Sequence, residues 1–384
     1  MTLVEPLFLE LELDAPIVGF AATSARGPGT VSVISRGLVT SDDGPRMYQY
    51  LDQFFSGRIA AALANAALPV EAIATCLVNV TDGTKARLWL NFPHVLTMVA
   101  KRLGRIDRGA PVYVDDVADV RAATLDGIEL PSRGAIAYTF QHGWRRGFYF
   151  DFSAHEPTVG DPNRPIQDLP ALLGWLHGAL LLRDRVRSDD DTLDTMFAAG
   201  WFPFIRLPND LVVQMRNHVE SGWALGELDD KIVEAMAPVV SQVVETWRSI
   251  PAFSPHNDVL REAGALFARG EYRAASALLL PKVEGVLRTM QPGKGRVRSA
   301  ALCAGLVDRV RARVSGHTAY LPEAFARYLE RYYYAGFDLD AGVVPASRHA
   351  FMHGVGPDAE MAKPAFPLRL LLTLDQLFFY ATSD

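Results

Sequence analysis

The chain has 384 residues, of which 49% are hydrophobic and 21% are charged. This composition predicts a folded protein of two or three domains and excludes a disordered or collagen-like chain. The 38 basic and 44 acidic residues give a net charge of −6, so a polyanion has to be held by a local patch rather than by the whole molecule. Cys76 and Cys303 lie far apart without paired spacing, which favours a reducing compartment. We therefore expect a cytoplasmic protein.

The segment from Met1 to Asp14 contains three glutamates and no basic residue, so it lacks the positively charged start of a signal peptide. The longest apolar stretches are residues 171–182 and 368–381. Both are shorter than the roughly 18 to 20 residues that cross a bilayer. We expect a soluble protein with no membrane partner.

The first part of the chain, residues 1–156, is rich in strand signals. Leucine stands at every second position from Leu7 to Leu13, which predicts a strand with one exposed face. Apolar residues at helical spacing between Met47 and Leu68 predict a helix that covers the sheet. Further strand signals recur at 31–35, 73–80, 86–92, 111–117, 135–141 and 147–152. The pattern predicts an α+β domain, and its role, sensing or target recognition, stays open.

Prolines divide the rest of the chain. Those between residues 157 and 170 interrupt regular structure, because proline lacks an amide proton and restricts its predecessor. Helical patterns then dominate residues 165–250, and residues 257–384 are typical of five or six helices. The predicted fold class is therefore α+β: a strand-rich α+β N-terminal domain, a helical middle region and a C-terminal all-α bundle.

Near the carboxyl end, Pro345 suits the first turn of a helix and Gly354 suits its end, so the sequence predicts a short helix of about two and a half turns. This helix contains Arg348, His349 and His353. The two histidines are four residues apart, which is the spacing of a metal-binding pair on one helical face. Two ligands do not make a metal site, and nothing in the sequence forces a third inward.

Arg348 and His353 are five residues apart. On an ideal helix this spacing separates their side chains by roughly 140°. They can act together only if the helix is irregular near Gly354, or if two copies of the chain each contribute their own pair.

The order of Arg348, a polar residue and His353 followed by glycine resembles the RxxxxH motif of the HEPN superfamily of small all-helical domains. The resemblance covers residues 257–384. It implies a homodimer that cuts RNA at a composite site without a metal or other cofactor, as endoribonucleases of bacterial toxin, abortive-infection and other antiviral defence systems do. It also implies that residues 277–288 form the helix bringing the acidic Glu284 near the motif. Residues 368–380 would be the closing helix, and an antitoxin or a phage-derived trigger an expected partner.

The residue types fit metal-independent RNA cleavage, in which the 2′-hydroxyl attacks the neighbouring phosphate. We assign His353 to proton transfer, because histidine titrates near neutral pH, and Arg348 to phosphate stabilisation, because its guanidinium is a permanent fork-shaped cation. His349 would orient either group or contact the sugar, and Glu284 would hold Arg348. The alternative is a HEPN-like domain that binds RNA, dimerises or serves as a scaffold without cutting.

Two places in the sequence are candidates for RNA binding. Residues 282–314 contain eight basic and two acidic residues, a segregation that phosphate binding in an acidic protein requires, although a solvated helix face is an equal alternative. Within it we single out Lys294, Arg296 and Arg298. The second place is the expected hairpin tip at Trp144, Arg145 and Arg146, where the indole would stack on a base, or else anchor a domain interface.

Overall fold

A computed structural model describes the chain as two compact units. The first comprises Met1–Ala100 and Val120–Leu181, and the second comprises Lys101–Asp119 and Leu182–Asp384. The residues it describes are 5–13, 16–21, 33–42, 49, 53, 73–82, 84–131, 133–153, 168–186, 188–291, 297–312, 318–342, 344–356 and 358–382. An antiparallel sheet in the N-terminal part precedes a largely helical C-terminal part, which confirms the predicted α+β class. Among the described helices, none is both long and apolar enough to cross a bilayer.

The strands belong mainly to the first unit. In chain order they are β1 (Leu7–Glu12), β2 (Phe20–Ala21), β3 (Val33–Ile34), β4 (Arg36–Thr40), β5 (Cys76–Asp82), β6 (Lys85–Leu90), β7 (Val95–Arg102), β8 (Val117–Asp126), β9 (Ala135–His142) and β10 (Arg145–Asp151). Six of them form one antiparallel sheet in the order β1-β6-β5-β9-β10-β4. The pairs β2-β3 and β7-β8 form two smaller ribbons.

The six-stranded sheet is buried on both faces. Along β9, Ala135 and Ala137 belong to one apolar cluster, while Ile136, Tyr138 and Phe140 belong to another. This alternation follows from the period of two along a strand. The second cluster includes leucines of helix α1 (Leu169–Leu181). The helix therefore covers that face of the sheet.

Helix α1 lies very close to β8. A Cβ atom built on Gly174 would stand 2.5 Å from Cα of Ala122, and one on Gly178 would stand 3.2 Å from Cβ of Val120. The absence of a side chain at Gly174 is what permits this approach. His177 lies on the same helix, is buried, and has Nε2 3.2 Å from the hydroxyl of Tyr138.

One strand prediction is wrong, and strands β2, β4, β7 and most of β8 were not predicted. The strand expected over 111–117 is wrong: residues 114–116 form a 3₁₀ turn, and β8 begins only at Val117. The Asp116 carboxylate accepts the backbone N–H of Tyr113 at 2.8 Å, and such local capping competes with strand pairing. Strand β7 was missed, because its side chains are mostly exposed and do not alternate. The helix expected between Met47 and Leu68 lies outside the described residues, apart from 49 and 53.

The second unit is helical. Its helices are α2 (Arg183–Val186), α3 (Asp190–Ala198), α4 (Asn209–Glu220), α5 (Asp229–Met236), α6 (Val240–Thr246), α7 (Asn257–Ala268), α8 (Tyr272–Thr289), α9 (Ser299–Arg311), α10 (Pro322–Tyr328), α11 (Arg348–Met352), α12 (Asp358–Met361) and α13 (Ala365–Ala381). One apolar cluster joins side chains from α3 through α13. The division of these helices at 250–257 stays a prediction.

Helix α13 runs through the middle of this core and is buried around most of its circumference. Its two charged residues are each paired, as burial of charge requires. Asp375 accepts hydrogen bonds from the guanidinium of Arg206, at 2.8 and 3.3 Å, and from the indole of Trp247 at 3.0 Å. Arg369 donates to both oxygens of Asp229 at 3.0 and 2.9 Å.

Candidate functional site

The Arg348 segment begins with a serine cap. The side chain of Ser347 accepts the backbone N–H of Ala350 at 3.3 Å and donates to the carbonyl of Ala335 at 2.7 Å. Helix α11 therefore starts at Arg348, and the predicted start at Pro345 is wrong. The helix ends at Met352, followed by His353 and by Gly354 at φ +73°. It is a helix of five residues, shorter than the two and a half turns expected.

Arg348 is held by the acidic residue of α8. Its Nε lies 2.9 Å from Oε2 of Glu284, and the other oxygen of that carboxylate pairs with Arg288 at 2.7 Å. The Glu284 side chain is only 11% exposed, compared with 28% for Arg348 and 41% for Arg288. One buried carboxylate thus neutralises half the charge of two partly exposed guanidinium groups, so the cluster keeps a net charge of +1.

The terminal nitrogens of Arg348 make no hydrogen bond to a described residue. The guanidinium is paired by charge at Nε, which forms no hydrogen bond of acceptable geometry, and its terminal nitrogens still offer N–H donors. A guanidinium with free terminal nitrogens can donate to two phosphate oxygens, because its fork geometry matches them.

The two histidines contact different aromatic rings. The ring of His349 meets Tyr334 edge-on with 6.0 Å between centroids, and the exposed ring of His353 lies 5.3 Å from that of Phe337. Arg348 contacts α8 and His353 contacts the segment after α10. Within one chain, therefore, the arginine and the second histidine contact separate elements. The expectation that they diverge on the helix agrees with these contacts.

A metal site at His349 and His353 has no support in the described part of the chain. There, no group of three or more histidine, cysteine, aspartate or glutamate side chains is arranged to hold a metal ion. Asp358 begins a separate short helix, α12, and Glu360 of the same helix approaches Arg369 at 3.6 Å and Lys363 at 2.7 Å. Glu360 is therefore already paired with cations.

A π-helical turn, Leu329–Tyr333, brings a further side chain to Glu284. The hydroxyl of Tyr333 donates to the carbonyl of Leu280 and accepts the backbone N–H of Glu284 at 3.1 Å. Burial raises the pKa of Tyr333 above its ordinary value, so the hydroxyl keeps its proton. The sequence analysis did not single out this residue. The one feature of the sequence that could have indicated it is the run of three tyrosines at 332–334.

Two further arginines of the basic segment 282–314 already have partners within the protein. Arg309 donates to the carbonyl of Met290 at 2.9 Å, and Arg311 pairs with Glu323 at 2.5 Å. Arg298 is exposed at the start of α9. Lys294 and Arg296 lie outside the described residues. Of the three side chains singled out for RNA binding, the structure thus places Arg298 alone.

The predicted hairpin tip is present in the first unit, between β9 and β10, with Gly143 at φ +61°. The indole of Trp144 is 76% exposed. Arg145 lies over that ring at 5.2 Å, approaches Asp42 at 3.4 Å and donates to the carbonyl of Leu180 at 3.4 Å. The backbone N–H of Arg146 is bound by the hydroxyl of Ser41. Arg145 therefore holds the hairpin, and Trp144 is the group left facing solvent.

Comparisons of the chain with protein-family models, with curated proteins and with solved structures find no match. The resemblance to the HEPN superfamily therefore depends on the motif and its surroundings, and membership stays a prediction.

Proposed function

We propose that this protein is a metal-independent endoribonuclease of the HEPN type, acting in the cytoplasm as part of a bacterial defence or toxin system. The observation that carries the proposal is the ion pair between Glu284 and Arg348, which leaves the terminal guanidinium nitrogens without a described partner on the same short segment as His349 and His353. A buried carboxylate holding an arginine in one orientation is what a phosphate-binding group needs, since preorganised charge costs no rearrangement during the reaction.

The reaction would be an internal transesterification. The 2′-oxygen of a ribose forms a bond to the adjacent phosphorus, the bond to the 5′-oxygen of the next nucleotide breaks, and the products are a 2′,3′-cyclic phosphate and a 5′-hydroxyl. The proton lost by the 2′-hydroxyl is balanced by the one gained at the 5′-oxygen. His353 would carry one of these transfers, and Arg348 would stabilise the charge on the phosphorane oxygens.

Two copies of the chain supply the complete site in this proposal. Within one copy Arg348 and His353 contact different elements. In a dimer with the two segments facing each other, the arginine of one copy and the histidine of the other would together contact one RNA phosphate. His353 contacts Phe337. Two large exposed apolar side chains are close to these residues in the sequence: Met352 precedes His353, and Leu339 follows Phe337 by two residues. Exposed apolar side chains at this position favour a second copy as the partner.

The test is RNA cleavage by the full-length protein in the presence of EDTA. Wild type is compared with His353→Ala and Arg348→Ala. The controls are His218→Ala, a histidine near the end of α4, and Arg327→Ala, a partly exposed arginine paired with Asp190. We expect loss of cleavage in the first two variants only, and products ending in a cyclic phosphate. Equal cleavage in all five proteins, or cleavage abolished by the chelator, contradicts the proposal.

The second candidate is a non-catalytic HEPN-like protein that binds RNA or dimerises. It is favoured by the separation of Arg348 and His353 within one chain. Overexpression distinguishes the two candidates: an active nuclease slows growth and loses this effect in His353→Ala, whereas a scaffold is indifferent to that change. Because an antitoxin or a phage-derived trigger can control the activity, the growth test is repeated with candidate triggers co-expressed.

A further inference from the structure

Helix α8 carries Glu284 one turn after a proline. Pro281 has no N–H, so the helix loses one backbone hydrogen bond, and its ring crowds the preceding turn. The turn from Leu280 to Glu284, which contains this proline, sets the position of the carboxylate. The missing bond is the one from residue 281 to the carbonyl of Ala277, so the helix is weakened in the turn just before the Leu280 carbonyl and the Glu284 N–H.

Tyr333 contacts the turn of residues 280–284 from a different element. Its hydroxyl bridges the two ends of this turn, donating to the Leu280 carbonyl and accepting the Glu284 N–H. The phenol is buried and cannot move to solvent.

The π-helical turn explains how the tyrosine arrives there. The backbone N–H of Tyr334 donates to the carbonyl of Leu329 at 2.7 Å, five residues earlier. The extra residue in such a turn rotates the following side chains relative to an α-helix, and π-helical turns are frequent at functional sites.

We propose that Tyr333 is a positioning residue for Arg348: its hydroxyl fixes the turn of α8 that carries Glu284, and Glu284 in turn holds the guanidinium. The inference rests on the proposed function, because it assigns Tyr333 a part in the same site. Tyr333 does not touch the RNA. A shift of the Glu284 backbone moves the carboxylate and with it the Arg348 Nε that lies 2.9 Å from it.

The physical link is tested without any activity. Thermal unfolding midpoints are measured for the full-length wild type, Tyr333→Phe, Arg348→Met and the double variant. If Tyr333 acts through Glu284 on Arg348, removing the hydroxyl lowers the midpoint less than half as much in the Arg348→Met background as in wild type. The matched control is Tyr380→Phe, which also removes a buried hydroxyl with two partners, the Tyr320 carbonyl and the Gln376 amide. Its effect is expected to be the same in both backgrounds.

The activity measurement completes the test. Tyr333→Phe is expected to lower kcat by about 10- to 100-fold, the effect of a misplacement on the order of 1 Å, with KM for RNA unchanged. Tyr380→Phe keeps the wild-type kcat. Additive midpoints for Tyr333→Phe and Arg348→Met, or equal kcat values in the two tyrosine variants, overturn the inference. If wild type cuts no RNA the proposed function fails, and the unfolding cycle still decides whether Tyr333 positions Arg348.

Discussion

The ion pair between Glu284 and Arg348 can be measured as a coupling energy. We consider Glu284→Gln, which keeps the size and polarity of the side chain and removes its charge, and Arg348→Met, which removes the guanidinium. The carboxylate is nearly buried, whereas Arg348 is partly exposed. Nε of Arg348 lies within ion-pair distance of the carboxylate but forms no hydrogen bond of acceptable geometry, so this pair is expected to contribute about 1 kcal/mol, the upper end for a pair that solvent partly reaches.

The second contact of Glu284 adds less. Arg288 lies four residues further along the same helix and is 41% exposed, so this pair contributes about 0.3–0.5 kcal/mol. Glu284→Gln is therefore expected to lower the free energy of unfolding by about 1.5 kcal/mol. Arg348→Met is expected to lower it by about 1 kcal/mol, since Arg288 still compensates the carboxylate.

The assay is urea unfolding followed by far-ultraviolet circular dichroism, whose helical signal comes mainly from the second unit. In a double-mutant cycle the coupling between Glu284→Gln and Arg348→Met is expected at about 1 kcal/mol or more. The control cycle uses Arg327 and Asp190, whose nitrogen and oxygen are 2.6 Å apart but whose carboxylate is 78% exposed, compared with 11% for Glu284, and its coupling is expected below about 0.5 kcal/mol. Equal coupling in the two cycles would refute the claim that Glu284 holds Arg348.

Two further predictions concern buried polar groups outside the Arg348 segment. Asp375→Asn removes a carboxylate that is only 1% exposed and that pairs with the partly buried Arg206. The same urea assay should show a loss of about 3 kcal/mol, and a loss below about 1 kcal/mol would contradict the buried pairing. Burial lowers the pKa of His177 to about 4 from 6.5, so the unfolded state binds its proton first as the pH falls. The stability this neutral ring contributes is complete above pH 6.5 and is lost towards pH 4, by about 2 kcal/mol at pH 5. Unfolding at pH 7 and 5, followed by tryptophan fluorescence, should show a smaller pH effect in His177→Phe, and an identical effect in both proteins would argue against a buried neutral ring.

Local patterns predicted the elements that depend on local physics. The alternation from Leu7 to Leu13 gave a strand at Leu7–Glu12, and the apolar run at 368–380 lies within the helix Ala365–Ala381. The aromatic pair of strands around Gly143 forms the expected hairpin. In each case the periodicity of side chains along the backbone is set by strand or helix geometry.

The periodicity failed to predict element boundaries where one side chain hydrogen-bonds to a nearby backbone N–H. Apolar residues before Val117 suggested a strand, but the Asp116 carboxylate bonds to the N–H of Tyr113 and forms a short turn. The start of the helix at Arg348 was likewise set by the Ser347 side chain rather than by Pro345. A hydrogen bond from one particular side chain leaves no periodic trace in a sequence.

The amino-acid sequence by itself determined the α+β class, the order of sheet and helices, and the place of Arg348, His349 and His353 on one short segment. Only the tertiary structure decided that the Glu284 carboxylate lies between two arginines, that the Tyr333 hydroxyl bridges the turn at Pro281, and that His353 contacts Phe337. Periodicity reports which face of an element is apolar, over a few residues at a time. Encounters between side chains far apart in the chain depend on how whole elements pack, and packing is decided by the complete core.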